Sequence, residues 1–150
     1  STGMSSLSDI ETAIAATKEA NCKDILLLKC TSSYPASPKD SNLKLIGEYA
    51  KLFCTEVGLP DHTIGIGASI AAVALGAVAI EKHFTLDKRD GGVDSKFSLD
   101  PEELRNLKKE SIKASMELIK SDLKLLGISH DNFTSETKTL GARRKIIFQV

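Results

Sequence analysis

An α/β fold with parallel strands is predicted by three features of the chain. Its strand-length apolar runs are nearly continuous rather than alternating, the pattern of strands buried on both faces. Segments with helical spacing separate them, as parallel pairing with crossover helices requires. The strand-like runs end in polar clusters, "KCTSSYP", "PDHT" and "EKHFTLD". In parallel α/β sheets functional groups collect beyond those carboxyl ends.

Each element has its own signals. Ser8-Asp9-Ile10-Glu11 reads as a capping box, followed by Ile10, Ala13, Ile14 and Thr17 on one helical face up to Asn21. "KDILLLKCTS" is the first strand, expected over Asp24 to Thr31. Pro35 and Pro38 mark a loop, and Leu43, Ile46, Tyr49, Ala50 and Phe53 then return to helical spacing. "EVGLPDHT" gives a second strand, Glu56 to His62. The apolar run from Ile64 splits at Gly76 into a small-residue helix, Ala68 to Leu75, and a third strand, Val78 to Phe84. Asp100-Pro101-Glu102-Glu103 supplies an N-cap, a proline at the first helical position and a glutamate at the third. The helix it opens carries Ile112, Met116, Ile119, Leu123 and Leu126 and stops at Gly127.

Composition excludes several classes. The 150 residues are 41% hydrophobic and 27% charged, an ordinary globular balance with enough chain for one core. Formal net charge is zero and tryptophan is absent, so neither a bulk field nor stacking platforms point to nucleic acid. Cys22, Cys30 and Cys54 are odd in number and form no CxxC pair, which argues against a disulfide framework or zinc knuckle and for a reducing cytoplasm. No signal-peptide pattern opens the chain, which begins abruptly at Ser1 and reads as a fragment of something longer. The Ile64 run, at roughly 17 residues, only reaches the lower limit for a membrane span and is mostly Gly, Ala and Ser; no membrane partner is expected.

The strand ends carry the candidate chemistry. If the last two strands are neighbours, His62 and His83 stand at one level on strands roughly 4.8 Å apart, able to share an ion. Two-residue alternation places Glu81 on the face of His83 and Pro60 on the face of His62. Each residue also has a plainer reading: a lone strand-end histidine is usually hydrogen-bonded or exposed, Glu81 could pair with Lys82, and Cys30 could be a small buried hydrophobe. Ser32, Ser33 and Tyr34 could merely begin a turn. Gly65-x-Gly67 lacks the third glycine of a dinucleotide fingerprint, and Lys108, Lys109, Lys113 and Lys120 form a solvated helix face.

Taken in order, "STGM", "LLLKCTSSYP", "VGLPDHTIGI", "SIAAVALGAVAIEKHFTLD" and "FSLDPEEL" resemble successive motifs of the sialic acid synthase (N-acetylneuraminate synthase) family. The resemblance implies the second half of a (β/α)8 TIM-type barrel over residues 1–127, with 128–150 leading towards an absent C-terminal antifreeze-like domain. It implies an enzyme, homodimeric when intact, that condenses phosphoenolpyruvate with N-acetylmannosamine or a related N-acyl sugar and releases phosphate. By position, His62 and His83 match the ligands of a manganese or magnesium ion that polarises the sugar aldehyde. Glu81 matches an acidic residue near the reacting carbons, Asp94 one that contacts the amino sugar, and Tyr34 and Ser32 residues that line the substrate pocket. Ser32 and Ser1 fall nearest the phosphoenolpyruvate side. Two departures stand out: Pro60 replaces a serine expected to help hold phosphoenolpyruvate, and Val93 replaces a proline in the loop before Asp94. Two other readings remain open at this point, a non-catalytic remnant or binding module of that barrel, and another metal-dependent aldolase-like lyase on the same scaffold.

Overall fold

A computed structural model describes residues 1–129 and 132. The order is α1 (Leu7–Glu19), β1 (Leu26–Leu28), α2 (Leu45–Phe53), β2 (Glu56–Asp61), α3 (Gly67–Ala74), β3 (Ile80–Lys82) and α4 (Pro101–Leu125). Single 3-10 turns at Pro38–Asp40 and Lys88–Asp90 punctuate the loops after β1 and β3. The strands form one parallel sheet in the order β1-β2-β3. Leu27 is opposite Val57, and Asp61 is opposite Lys82. The alternation of helix and strand expected from the sequence is the alternation observed.

Boundaries differ where local hydrogen bonding decides them. The capping box of α1 is built by Ser6 and Asp9, not by Ser8 and Glu11. The Ser6 hydroxyl accepts the Asp9 N–H at 3.2 Å, and the Asp9 carboxylate accepts the Ser6 N–H at 2.9 Å, so the helix starts earlier than expected. β1 and β3 are shorter than their apolar runs, yet the ladder continues past them. Lys29 N–H donates to Gly58 O at 2.9 Å, and Val78 N–H to Val57 O at 3.0 Å. The apolar run breaks at Gly76, whose φ of +94° suits glycine alone. Among the described residues no helix is long and apolar enough to cross a membrane.

α4 opens as its sequence predicts. The Asp100 carboxylate accepts the N–H groups of Glu102 and Glu103, with Pro101 at the first helical position. It closes when Gly127 takes a φ of +71° and the Gly127 and Ile128 N–H groups reach back to Lys124 O and Leu123 O. That is the paired backbone closure of a Schellman motif. The segment 128–150 expected to lead out of the domain lies almost wholly outside the described residues.

The core occupies one side of the sheet. Ile10 and Ile14 of α1, Ile46 of α2 and Ala72 of α3 pack on Leu27, Val57 and Leu59. Since side chains alternate along a strand, Gly58, Pro60 and His62 fall on the opposite, open face. A Cβ at Gly58 would lie 2.8 Å from Leu28 Cδ2 and 2.9 Å from the Ala79 carbonyl, so glycine lets the three strands close here.

Candidate functional site at the carboxyl edge of the sheet

His62 and His83 each follow the last residue of their strands, one step beyond the Asp61–Lys82 register pair. That register sets the imidazoles side by side, with centroids 5.5 Å apart and planes at 68°. Two aromatic rings brace them. Tyr34, on the loop after β1, lies over His62 at 4.1 Å and 34°, and Phe97 meets His83 edge-on at 5.0 Å. Tyr34 and Phe97 stand 6.0 Å apart and close the ring cluster. His62 is 5% exposed and Phe97 3%, whereas Tyr34 is 59% exposed and so offers its outer side to an incoming molecule.

Both imidazoles have an oxygen at Nδ1. His62 Nδ1 is 3.0 Å from the Thr31 carbonyl, which can only accept, so in the neutral ring Nδ1 carries the proton and Nε2 the lone pair. His83 Nδ1 lies 3.4 Å from Asp94 Oδ2. Asp94 reaches it because the loop after β3 folds back along the strand. Leu99 N–H donates to His83 O at 2.8 Å and Thr85 N–H to Leu99 O at 2.9 Å. The Asp94 main chain is likewise fixed, its carbonyl accepting the Ser98 N–H at 3.0 Å and the Ser98 hydroxyl at 2.8 Å.

Beneath the imidazoles, on the helix side, Asp61 and Lys82 form a buried ion pair at 3.2 Å. Asp61 also accepts the Ser69 hydroxyl of α3 at 2.5 Å and the Thr63 N–H at 2.8 Å. Burial pushes the Lys82 ammonium below the ordinary lysine range, and the adjacent Asp61 charge partly opposes that. Lys29, at the end of β1, is similarly lowered by burial and donates to the Ser41 carbonyl and to Thr31 Oγ1.

The structure thus brings four of the sequence-predicted residues together: His62, His83, Tyr34 and Asp94. Glu81 faces Pro60 in the register and is exposed, on the side of β3 opposite the buried Lys82. Ser32 is exposed and close to Gly3, while Ser1 is exposed and it is Thr2 that is tied to the sheet. Thr2 N–H donates to Leu28 O at 2.7 Å and its hydroxyl accepts the Cys30 N–H at 3.0 Å. Sequence reasoning missed Phe97 and the Asp61–Lys82–Ser69 group. Phe97 had a signal, a lone aromatic in the polar stretch "DSKFS". Asp61 and Lys82 had another, since the register that pairs the histidines pairs the residues before them on the opposite face.

Fold and site together define an α/β protein whose chemistry-bearing side chains gather past the ends of parallel strands. A family profile described as the NeuB family matches residues 1–122, and the chain belongs to that family. It is 50% identical over 109 residues to the N,N'-diacetyllegionaminic acid synthase of Campylobacter jejuni, covering 71% of this chain and 33% of that protein. It is 44% identical over 108 residues to the N-acetylneuraminate-9-phosphate synthase of Mus musculus, covering 71% of this chain and 30% of that one. The chain therefore spans about a third of the length of the curated relatives it matches. Among solved structures it resembles the N-acetylneuraminic acid (sialic acid) synthetase of Leptospira borgpetersenii, determined with citrate, at TM-score 0.73 and 34% identity over 91% of this chain and 45% of that one. The spore coat polysaccharide biosynthesis protein spsE of Bacillus subtilis matches at TM-score 0.74 and 37% identity, over 77% of this chain and 33% of that one.

Proposed function

We propose that this chain forms part of the active site of a sialic-acid-type synthase, which joins phosphoenolpyruvate to the aldehyde carbon of an N-acyl amino sugar and releases phosphate. The observation that carries the reading is the imidazole pair at the ends of β2 and β3, 5.5 Å apart and roofed by an exposed tyrosine. Membership of a family whose relatives include legionaminic and N-acetylneuraminate-9-phosphate synthases supports it. In this reading β1, β2 and β3 are consecutive strands of a (β/α)8 barrel, and the open face that carries Pro60 and His62 is its interior.

His62 and His83 would hold a divalent ion, manganese or magnesium, and their surroundings fit one. With an oxygen at each Nδ1, the Nε2 lone pairs are left as ligands, the arrangement usual for metal-binding histidines. Two imidazole donors by themselves would leave coordination positions for substrate and water. Bound there, the ion would supply Lewis acidity towards the aldehyde oxygen of the sugar. That oxygen must gain a proton as the carbon–carbon bond forms, and Glu81, an exposed carboxylate two residues before His83, is the group this chain offers to deliver it. Tyr34 orients the sugar over His62, and Asp94 keeps a partly exposed carboxylate for a sugar hydroxyl or amide N–H. Ser32 and the Ser1–Thr2 segment border the phosphoenolpyruvate side, where hydroxyls and backbone N–H groups can meet a phosphate.

The test is a graft of residues 1–122 into the Campylobacter jejuni synthase in place of the matching segment, followed by phosphate release from phosphoenolpyruvate with a panel of N-acyl sugars. Turnover that a chelator abolishes and Mn2+ restores is the expected result. A folded chimera that releases no phosphate with any sugar overturns the reading.

A further inference from the structure

We infer that Asp61 and Lys82 are positioning residues for the imidazole pair, holding His62 in register with His83 from the helix side of the sheet. The inference rests on the reading of those imidazoles as the reactive site. Each member of the ion pair immediately precedes a histidine, and the two are paired across β2 and β3. Alternation sends the charged side chains to one face and the imidazoles to the other. The ion pair is 3.2 Å long with side chains 2% and 1% exposed, so it works without competition from water.

What it holds is the main chain on both sides of His62. Asp61 accepts the Thr63 N–H at 2.8 Å, closing a short turn that straddles His62, and Lys82 donates to the Thr63 carbonyl. Ser69 of α3, at 2.5 Å from the other Asp61 oxygen, fixes the carboxylate against the helix. Among the described residues the hydrogen bonds of His62 itself run from its carbonyl, to Ala36 N–H at 2.9 Å, and from its ring, to Thr31 O at 3.0 Å. Cohesion alone does not account for the arrangement, because well-packed apolar residues can replace a buried ion pair without loss of stability. They cannot bind both the N–H and the C=O of Thr63. The pair is therefore suited to fixing where His62 points.

The experiment uses the full 150-residue chain with labelled histidine and compares wild type with Asp61→Leu/Lys82→Met, which removes both charges and strands neither. In the metal-free wild type, His62 ring protons should show the ring-current displacement due to Tyr34 and cross-peaks to His83. In the double variant both should collapse while far-UV circular dichroism and the methyl shifts of Ile10, Ile14 and Ile46 persist, and affinity for Co2+ alone should fall about 10–100-fold, as for other lost supporting partners of metal ligands. A folded variant that keeps the displacement and the cross-peaks overturns the inference. If the double variant does not fold, Ser69→Ala carries the test, where a smaller movement of the same His62 signals supports the inference and wild-type signals overturn it. A wild-type chain with the cross-peaks but no Co2+ binding overturns the metal reading and, with the signals lost in the variant, supports the positioning role.

Discussion

His62 and His83 are the same side chain in different settings, and the difference separates their mutants. His62 is buried under Tyr34 with Nδ1 on the Thr31 carbonyl, so His62→Ala opens a cavity beneath the tyrosine and removes one of that carbonyl's two donors, the Ser33 N–H remaining at 2.9 Å; the lost hydrogen bond costs about 0.5–1.5 kcal/mol and the cavity adds to it. His83 is 32% exposed at its side chain and lies beside a half-exposed carboxylate, so its removal strands nothing in the interior. In the grafted synthase, His83→Ala should abolish metal-dependent phosphate release while the thermal unfolding midpoint stays near that of the parent. His62→Ala should lose activity and stability together. Equal midpoints for the two variants would contradict the packing described here. Pro60 makes a third test on the same face as His62. It is buried and offers neither a hydroxyl nor an N–H. Pro60→Ser would add a hydrogen bond to a charged phosphate, about 1.5–3 kcal/mol if well placed. That should appear as a roughly tenfold or greater fall in KM for phosphoenolpyruvate with little change for the sugar. An unchanged KM would mean that the phosphate is held elsewhere.

At the scale of elements, the order of helices and strands was legible because each carried redundant signals. α4 had an N-cap, a proline and a terminal glycine, and all three act as read. The start of α1 was not, because the sequence offers two overlapping boxes, Ser6 to Asp9 and Ser8 to Glu11, and only the geometry of the turn chooses between them. The choice has a pH signature. Hydrogen bonds from Ser6 hold the Asp9 carboxyl below its ordinary value of 3.8. A lowered carboxyl contributes stability that is present above the unfolded-state value and is lost as pH falls through the folded one. Acid titration should therefore release amide protection in the first turn of α1 below about pH 4 in wild type, and Ser6→Ala should weaken that step, since only the residue 6 N–H then remains on the Asp9 carboxylate. Protection that titrates identically in both would place the box elsewhere. Strand closeness was hidden for a different reason. Gly58 reads in sequence as a weak point in β2, yet the Ala79 carbonyl lies 2.9 Å from where a Cβ would stand. Backbone on that side cannot yield as a side chain would, so Gly58→Ala should destabilise by on the order of 1–3 kcal/mol in chemical denaturation.

For the whole molecule, the pairing of the histidines was legible because it follows from strand adjacency and alternation, whereas Phe97 and Asp94 came to His83 only through the fold-back of a loop whose path no periodicity encodes. The same global view exposes a liability. Only one side of the sheet carries the helical core, and no further strand covers the outer edge of β1 or β3 among the described residues, Thr2 meeting β1 only near its end at Leu28 O and Cys30 N–H. Leu26, Val78 and Leu86 are substantially exposed, and Val93 is 98% exposed. Strand edges of this kind template association, and exposed apolar side chains near them favour it. A formal net charge of zero supplies no repulsion to oppose it. The 150-residue chain alone should thus self-associate, its weight-average sedimentation coefficient rising with concentration across the micromolar range. Because the attraction is apolar rather than ionic, added salt should strengthen association or leave it unchanged. In the barrel reading the same surface is met by the rest of the synthase, so co-expression with the complementary segment of the Campylobacter jejuni relative should replace the self-associated species by a mixed one. A monodisperse monomer throughout that range would show that the open face and its edges are already satisfied within this chain, and would count against the half-barrel.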